Sequence, residues 1–326
     1  MKSKKVNLIF LLAGLLILIF LVWDFGINNI ILNVAKVGWW LVPVIAVWLI
    51  IYAMNTLAWK AIIGNGAKVG FYKLLSLKIT GFSINYLTPV VGLAGEPWKI
   101  INVKHLIGVE KASSSVILYN MMHILSHFYF WVTAVILFAL TTPLDVLTII
   151  VLGVVLLILL FVIAIFYLWH RKGIVYSFIR FLNSVPILNK FSAKIEEHED
   201  VLRNIEVQVV DLYQNRRSAF YFTLFLEYGA RVIGSLEFYF IMIAIQSDVT
   251  FLQSIYISAA SSLLANLVFF IPLQLGTREG SLYLVYESLN FTPALGVFVS
   301  LVTRIREFFW IIIGLLLLKL TSRKIS

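Results

Sequence analysis

The chain has 326 residues, 61% hydrophobic and 13% charged, with a mean hydropathy of +0.97. A soluble domain is about 25% charged, so this composition excludes an ordinary globular protein and leaves no stretch polar enough to form one. The lack of cysteine excludes disulfides, thiol chemistry and cysteine-ligated metals. The +10 charge does not mark a nucleic-acid binder, because the lysines and arginines lie between apolar runs, as in membrane topology.

In chain order, Lys2, Lys4 and Lys5 precede an apolar run over residues 6–23. No small-residue cleavage site follows, so this run is expected to be a retained first span rather than a signal peptide. Further spans are expected at 38–63, where Trp39 and Trp40 suit an interface, and at 113–140, 146–169, 219–245 and 293–318. Each reaches the roughly 20 residues needed to cross the hydrocarbon core. Basic residues place both termini inside, with Lys319, Arg323 and Lys324 at the C-terminal end. The connections assigned outside, 24–37, 141–145 and 246–250, share one basic residue, Lys36. Lys60, Lys68, Lys73, Lys99, Lys104 and Lys111 fall to the inside, as does the long polar loop 170–218. In that loop Ile187, Phe191, Ile195, Leu202, Ile205, Val209 and Leu212 share one face of an amphipathic helix, suited to the inner membrane surface or to a coiled-coil partner.

Residues 74–100 and 251–289 are apolar but broken by proline and glycine, at Pro89 and Gly95 and at Pro272 and Gly276. Broken backbone at membrane depth needs protein or water around it, so both segments are expected to be re-entrant helical hairpins. They enter from opposite faces and they rhyme: Glu96 lies seven residues after Pro89, and Glu279 seven after Pro272. The expected fold is therefore all-α and polytopic, with six spans and two hairpins in one domain, 1–326. Its inverted repeats fall at about 38–140 and 219–318, the plan of transporters whose sites lie at broken helices near the midplane.

An ionisable side chain at mid-membrane costs about 2.5–3.5 kcal/mol on insertion scales, so each needs a reason. Glu227, Arg231 and Glu237 share one span, and Arg304, Arg306 and Glu307 lie inside the last. Internal ion pairing or snorkelling explains these as well as function does. Glu96, Arg278 and Glu279, where charge meets broken backbone, favour a substrate-facing role, and cations beside helix N-termini suit a phosphate headgroup. His123 and His127 share a helical face, but the glutamate of a zinc H-E-x-x-H motif is absent, and packing or pore lining is the simpler reading. His105 and Glu110 only approximate a membrane acyltransferase pair. Ser258, Ser261, Ser262 and Ala265 form a small-residue face suited to close packing. No phosphate-binding loop, nucleophile elbow or metal cluster is seen, so neither an enzymatic activity nor a cofactor is expected.

TPVVGLAGEPWK at 88–99 resembles the TPGG…GGEP…R signature of the flippase-like membrane domain of lysylphosphatidylglycerol synthases. PLQLGTREG at 272–280 is similar to that family's PGGLGVREG, and Arg304 with Gly314 to the arginine and glycine of its last span. The resemblance covers nearly the whole chain. It implies Gly95, Glu96 and Lys99 as the first motif, and Pro272, Gly276, Arg278 and Glu279 as the second. Two-domain members carry a soluble aminoacyl transferase, which is not expected in these 326 residues. The resemblance thus implies movement of a lipid between leaflets, beside a possible separate synthase. A membrane enzyme acting on a lipid-linked substrate and a scaffold for a synthase are the alternatives. Val90, Val91, Leu273, Gln274 and the pair Tyr119-Asn120 depart from the family pattern, which leaves the headgroup unnamed.

Overall fold

The computed structural model describes residues 28, 32, 35–64, 69–87, 94–172, 207–208, 210–245, 248–267 and 277–323. Among these residues the secondary structure is helical, without strands. A 3₁₀ turn, Gly38–Trp40, leads into α1, Leu41–Ile63. There follow α2 (Phe71–Leu87), α3 (Gly95–Ile107), α4 (Val109–Thr141), α5 (Val146–Lys172), α6 (Arg217–Ala244), α7 (Phe251–Leu267), α8 (Thr277–Ser288) and α9 (Pro293–Arg323).

Local chemistry sets these limits. Pro43, Pro97 and Pro293 each stand within the first three residues of α1, α3 and α9, where a missing N–H costs no helical bond. Pro143 lies in the turn before α5, whose start Asp145 caps by accepting the Thr148 N–H at 3.3 Å. At α7, Thr250 and Gln253 form a reciprocal capping box: the Gln253 N–H donates to Thr250 Oγ1 at 3.2 Å and the Thr250 N–H to Gln253 Oε1 at 2.8 Å.

The expected spans at 38–63, 113–140, 146–169, 219–245 and 293–318 correspond to α1, α4, α5, α6 and α9. The first, 6–23, lies outside the described residues, as does most of the amphipathic loop helix; Leu212, on its apolar face, is buried. Ala35–Ile63, Val109–Thr141 and Val146–Tyr167 are long and apolar enough to cross a membrane. α6 and α9 are as long, at 28 and 31 residues, but carry the ionisable groups noted above. The inside connection carrying Lys104 and Lys111 is not a loop. α3 continues to Ile107 and α4 begins at Val109, with only Gly108 between them, at φ 83°. A left-handed residue is a one-residue hinge, and glycine takes it without strain.

The chain divides into two compact units. Unit 1 comprises residues 1–56, 70–99 and 229–326; unit 2 comprises 57–69 and 100–228. In unit 1, α9 packs on α8 and α2, and α7 packs on α8. Its core joins Val44, Ile241, Ile257, Leu282, Tyr286 and Val302, with a second cluster of Tyr52, Ile79 and Trp310. α2 and the start of α3 run antiparallel and nearly touch: a Cβ on Gly81 would lie 2.7 Å from Lys99 Cε, and one on Gly95 would meet the Gly81 carbonyl. In unit 2, α4 packs on α5, which is apolar all round and exposes Leu147, Ile150, Val154, Leu157 and Phe161. Such a face belongs in lipid.

Candidate functional site

Six ionisable residues of unit 1 form one connected cluster. At the start of α8, Arg278 Nη1 donates to Glu307 Oε1 of α9 at 2.6 Å. The next residue, Glu279, accepts from Arg304 Nε at 2.9 Å and from the Ser300 hydroxyl at 2.9 Å. Tyr86 of α2 bridges these two pairs, donating to Glu307 Oε2 at 2.8 Å while accepting from Arg304 Nη1 at 3.3 Å. Arg306 forks onto both carboxylate oxygens of Glu237 at 2.8 and 2.9 Å and reaches Glu307 at 3.7 Å. Trp48 closes that end: its Nε1–H donates to Glu237 Oε2 at 2.8 Å, and the Arg306 guanidinium lies 3.8 Å above its ring.

Arg278, Arg304 and Arg306 thus meet Glu237, Glu279 and Glu307, three cations against three anions. Neutrality is what burial demands, because Arg304, Arg306, Glu237 and Glu307 are each at most 4% exposed. Helix spacing delivers the groups: Ser300, Arg304 and Glu307 are four and three residues apart on α9 and face α8, whereas Arg306 points to α6.

The first hairpin motif stands beside this cluster in the chain, through consecutive residues of α2. Asn85 Oδ1 accepts the Gly95 N–H at 2.6 Å, and its amide donates to Glu96 Oε1 at 3.4 Å. Glu96 in turn accepts from Lys99 Nζ at 2.6 Å, the ammonium being carried across the face of Gly81. Asn85 therefore ties down the first N–H of α3, that of Gly95, one residue before Tyr86 enters the arginine cluster.

Of the sequence-predicted residues, Arg278, Glu279 and Arg304 are brought together, and Glu96 pairs with Lys99. Glu237 joins the cluster through Arg306, so that pair is held by internal ion pairing. Glu227 belongs to unit 2, where His123 Nδ1 lies 2.6 Å from its Oε2; Arg231, one turn along α6, is half-buried. Gly95 is buried in the α2–α3 crossing, while Pro89, Pro272 and Gly276 lie outside the described residues. Sequence reasoning missed Tyr86 and Ser300, whose hydroxyls complete the pairs, and assigned no site role to Glu307, which takes two donors. A tyrosine facing a carboxylate 221 residues away has no local signature.

Unit 2 holds a cavity of about 620 Å³ near the Gly108 hinge, bordered by Glu110, Lys111, Asp211 and Arg216. These charges balance, and Arg216 is already engaged, donating to the Ala61 and Ile62 carbonyls at 2.7 and 2.9 Å. The arginine cluster of unit 1 is accordingly the better candidate for an anionic ligand.

The model of the lysylphosphatidylglycerol synthase TM region matches residues 7–314. A UPF0104 membrane protein of Pyrococcus horikoshii is 26% identical over 340 residues, covering 97% of this chain and 97% of that protein. No solved structure matches the chain. With a match over nearly its full length, and with apolar helices long enough to cross a bilayer, the chain is an integral membrane protein belonging to the lysylphosphatidylglycerol synthase transmembrane-region family.

Proposed function

We propose that the protein is a flippase-like lipid translocase, moving a phospholipid or lipid-linked headgroup between leaflets without covalent chemistry of its own. The observation that carries this reading is the Arg278–Glu307 and Arg304–Glu279 pair of ion pairs bridged by Tyr86. Guanidinium forks match phosphate as well as they match carboxylate. An entering phosphate headgroup can take Arg278 and Arg304 from their glutamates, and the glutamates reclaim them when it leaves. The cluster is neutral before the headgroup enters, so each glutamate that gives up its arginine must take up a proton or meet water, because a buried carboxylate left unpaired is costly.

The helix lengths support re-entrant hairpins. α2 and α3 have 17 and 13 residues and α7 and α8 have 17 and 12, each short of the roughly 20 that span a bilayer. Two hairpins and six spans, in inverted repeats over 38–140 and 219–318, accommodate the lysine and arginine distribution. In this arrangement the protein lies in the cell membrane with both termini cytoplasmic.

The test uses purified protein in vesicles carrying fluorescent phospholipid, with an impermeant quencher reporting the outer leaflet. Arg278→Gln and Glu279→Gln are expected to insert and fold yet move no labelled lipid. Normal movement by both refutes the site, and aggregation of both makes these pairs structural. Topology is read separately from single cysteines at 68 and 190 in this cysteine-free chain, and labelling from outside refutes the orientation.

A further inference from the structure

The charges of the arginine cluster close on one another, whereas those at the Gly108 end of unit 2 do not. The cavity of about 620 Å³ there is bordered by two cations, Lys111 and Arg216, and two carboxylates, Glu110 and Asp211. None of these four makes an ion pair among the described residues. Their places in the chain hold them apart. Glu110 and Lys111 are neighbours at the start of α4, so their side chains leave the helix about 100° from each other. The Asp211 carboxylate accepts from the Asn215 amide at 3.0 Å. The Arg216 guanidinium is turned to the Ala61 and Ile62 carbonyls at the end of α1, which take hydrogen bonds from it and leave its charge in place.

The volume falls in the range of small-molecule sites, about 300–1,000 Å³. Ile62 and Leu118, 2% and 4% exposed, give the cavity an apolar side. Gln208, whose Oε1 accepts the Ser114 hydroxyl, keeps its amide N–H groups as donors. Balanced charges that do not meet suit a ligand balanced in the same way, net neutral with an anion and a cation of its own. No aromatic ring is among the described lining residues, so a quaternary ammonium finds no π face here. A primary ammonium instead has three N–H donors for the two carboxylates. On the anionic half, a phosphodiester takes charge-assisted hydrogen bonds from Lys111 and from the guanidinium N–H groups of Arg216 that the carbonyls do not use. The apolar side suits glycerol and ester carbons.

We infer that this cavity is a site for a zwitterionic phosphodiester bearing a primary ammonium, as in an ethanolamine headgroup. The phosphate lies on Lys111 and Arg216, and the ammonium between Glu110 and Asp211. The site is separate from the arginine cluster and does not rest on the translocase reading.

Binding to the full-length protein in detergent tests it. Labelled phosphatidylethanolamine in mixed micelles and labelled glycerophosphoethanolamine in solution are each titrated. One zwitterion per chain is expected, displaced by the matching phosphoglycerol compound, net −1, only at about tenfold higher concentration. Tighter binding of the lipid makes the membrane the source of the ligand, and equal binding makes it the free compound. Asp211→Asn and Lys111→Gln are each expected to weaken the zwitterion about tenfold. They should also shift the preference in opposite directions, with Asp211→Asn gaining affinity for the anionic compound and Lys111→Gln losing it. Partial unfolding cannot produce opposite shifts. Equal displacement by zwitterion and anion in the unsubstituted protein overturns the site whether or not the variants fold. Absence of binding in both forms, or binding unmoved by both substitutions, overturns it as well.

Discussion

The two compact units solve the same problem, buried ionisable groups in an apolar chain, with different chemistry. Unit 1 pairs arginine with glutamate three times over, and adds hydroxyls from Tyr86 and Ser300. Guanidinium does not give up its proton in proteins, so the cationic half of each pair is permanent. Unit 2 instead sets Glu227 against His123, which stands between Tyr119 and His127 in a row of rings on α4. Histidine, unlike arginine, is a side chain that can gain or lose a proton near neutral pH. The contrast is between permanent cations in the first unit and a titratable side chain in the second, and four substitutions bear on it.

The largest effect is expected at the Arg306–Glu237 pair. Both side chains are at most 4% exposed, so Arg306→Met leaves a buried carboxylate whose fork is gone, and should cost about 3–5 kcal/mol. Thermal unfolding in detergent measures it. The double variant Arg306→Met/Glu237→Met should recover most of the loss, because it removes both charges together. A double variant as unstable as the single would mean that the pair does more than neutralise itself.

Next in size is the seam between α2 and α9. A Cβ on Gly314 would collide with the Ser83 hydroxyl and come within 2.8 Å of the Ile79 carbonyl. Ser83 is itself fixed by its bond to Ile79 O at 3.2 Å, so the helices must part. Gly314→Ala should cost about 2–3 kcal/mol and broaden the gel-filtration peak. A peak and melting temperature like those of the unsubstituted protein would show that the seam is slack, and that Tyr86, one turn along α2, is not held in register by it.

Tyr86→Phe sharpens the comparison most directly. It deletes one hydroxyl from the arginine cluster and leaves every charge in place. A hydrogen bond to a charged group is worth about 1.5 kcal/mol or somewhat more, so the melting temperature should fall by a few degrees. Lipid movement should fall much further if the two ion pairs must open together, because the hydroxyl is what couples them. Movement lost only in proportion to stability would make Tyr86 structural.

Much of the frame was legible in the sequence because hydropathy and proline are local signals. The long helices α1, α4, α5, α6 and α9 follow from apolar length, and Pro43, Pro97 and Pro293 stand at helix starts. The meeting of Arg278, Glu279 and Arg304 was legible only as charge beside broken backbone, without partners. What escaped were contacts between distant segments. Glu227 reads locally as the mate of Arg231, four residues on, while its histidine partner is 104 residues away. Tyr86 looks like any aromatic of an apolar helix until α9 is laid against it. Gly108 escaped for the opposite reason: a single glycine among lysines reads as loop, and the helices on both sides close up to it.

The smallest effect is expected where neither kind of chemistry is present. Thr250 caps α7 through its hydroxyl, which accepts the Gln253 N–H, while Gln253 returns a carbonyl to the Thr250 N–H. Thr250 is exposed, and its hydroxyl serves one helix end rather than any ion pair. Thr250→Ala should therefore cost about 1 kcal/mol, the usual worth of an N-cap, while Thr250→Ser should cost almost nothing. Lipid movement per folded molecule should be unchanged in both. Set beside Tyr86→Phe, this is the sharper half of the test: two hydroxyl deletions of similar stability cost, one inside the arginine cluster and one outside it, should differ in transport alone. A transport defect in Thr250→Ala as deep as that of Tyr86→Phe would mean that transport follows the overall stability of unit 1. The working site would then lose its claim to the arginine cluster.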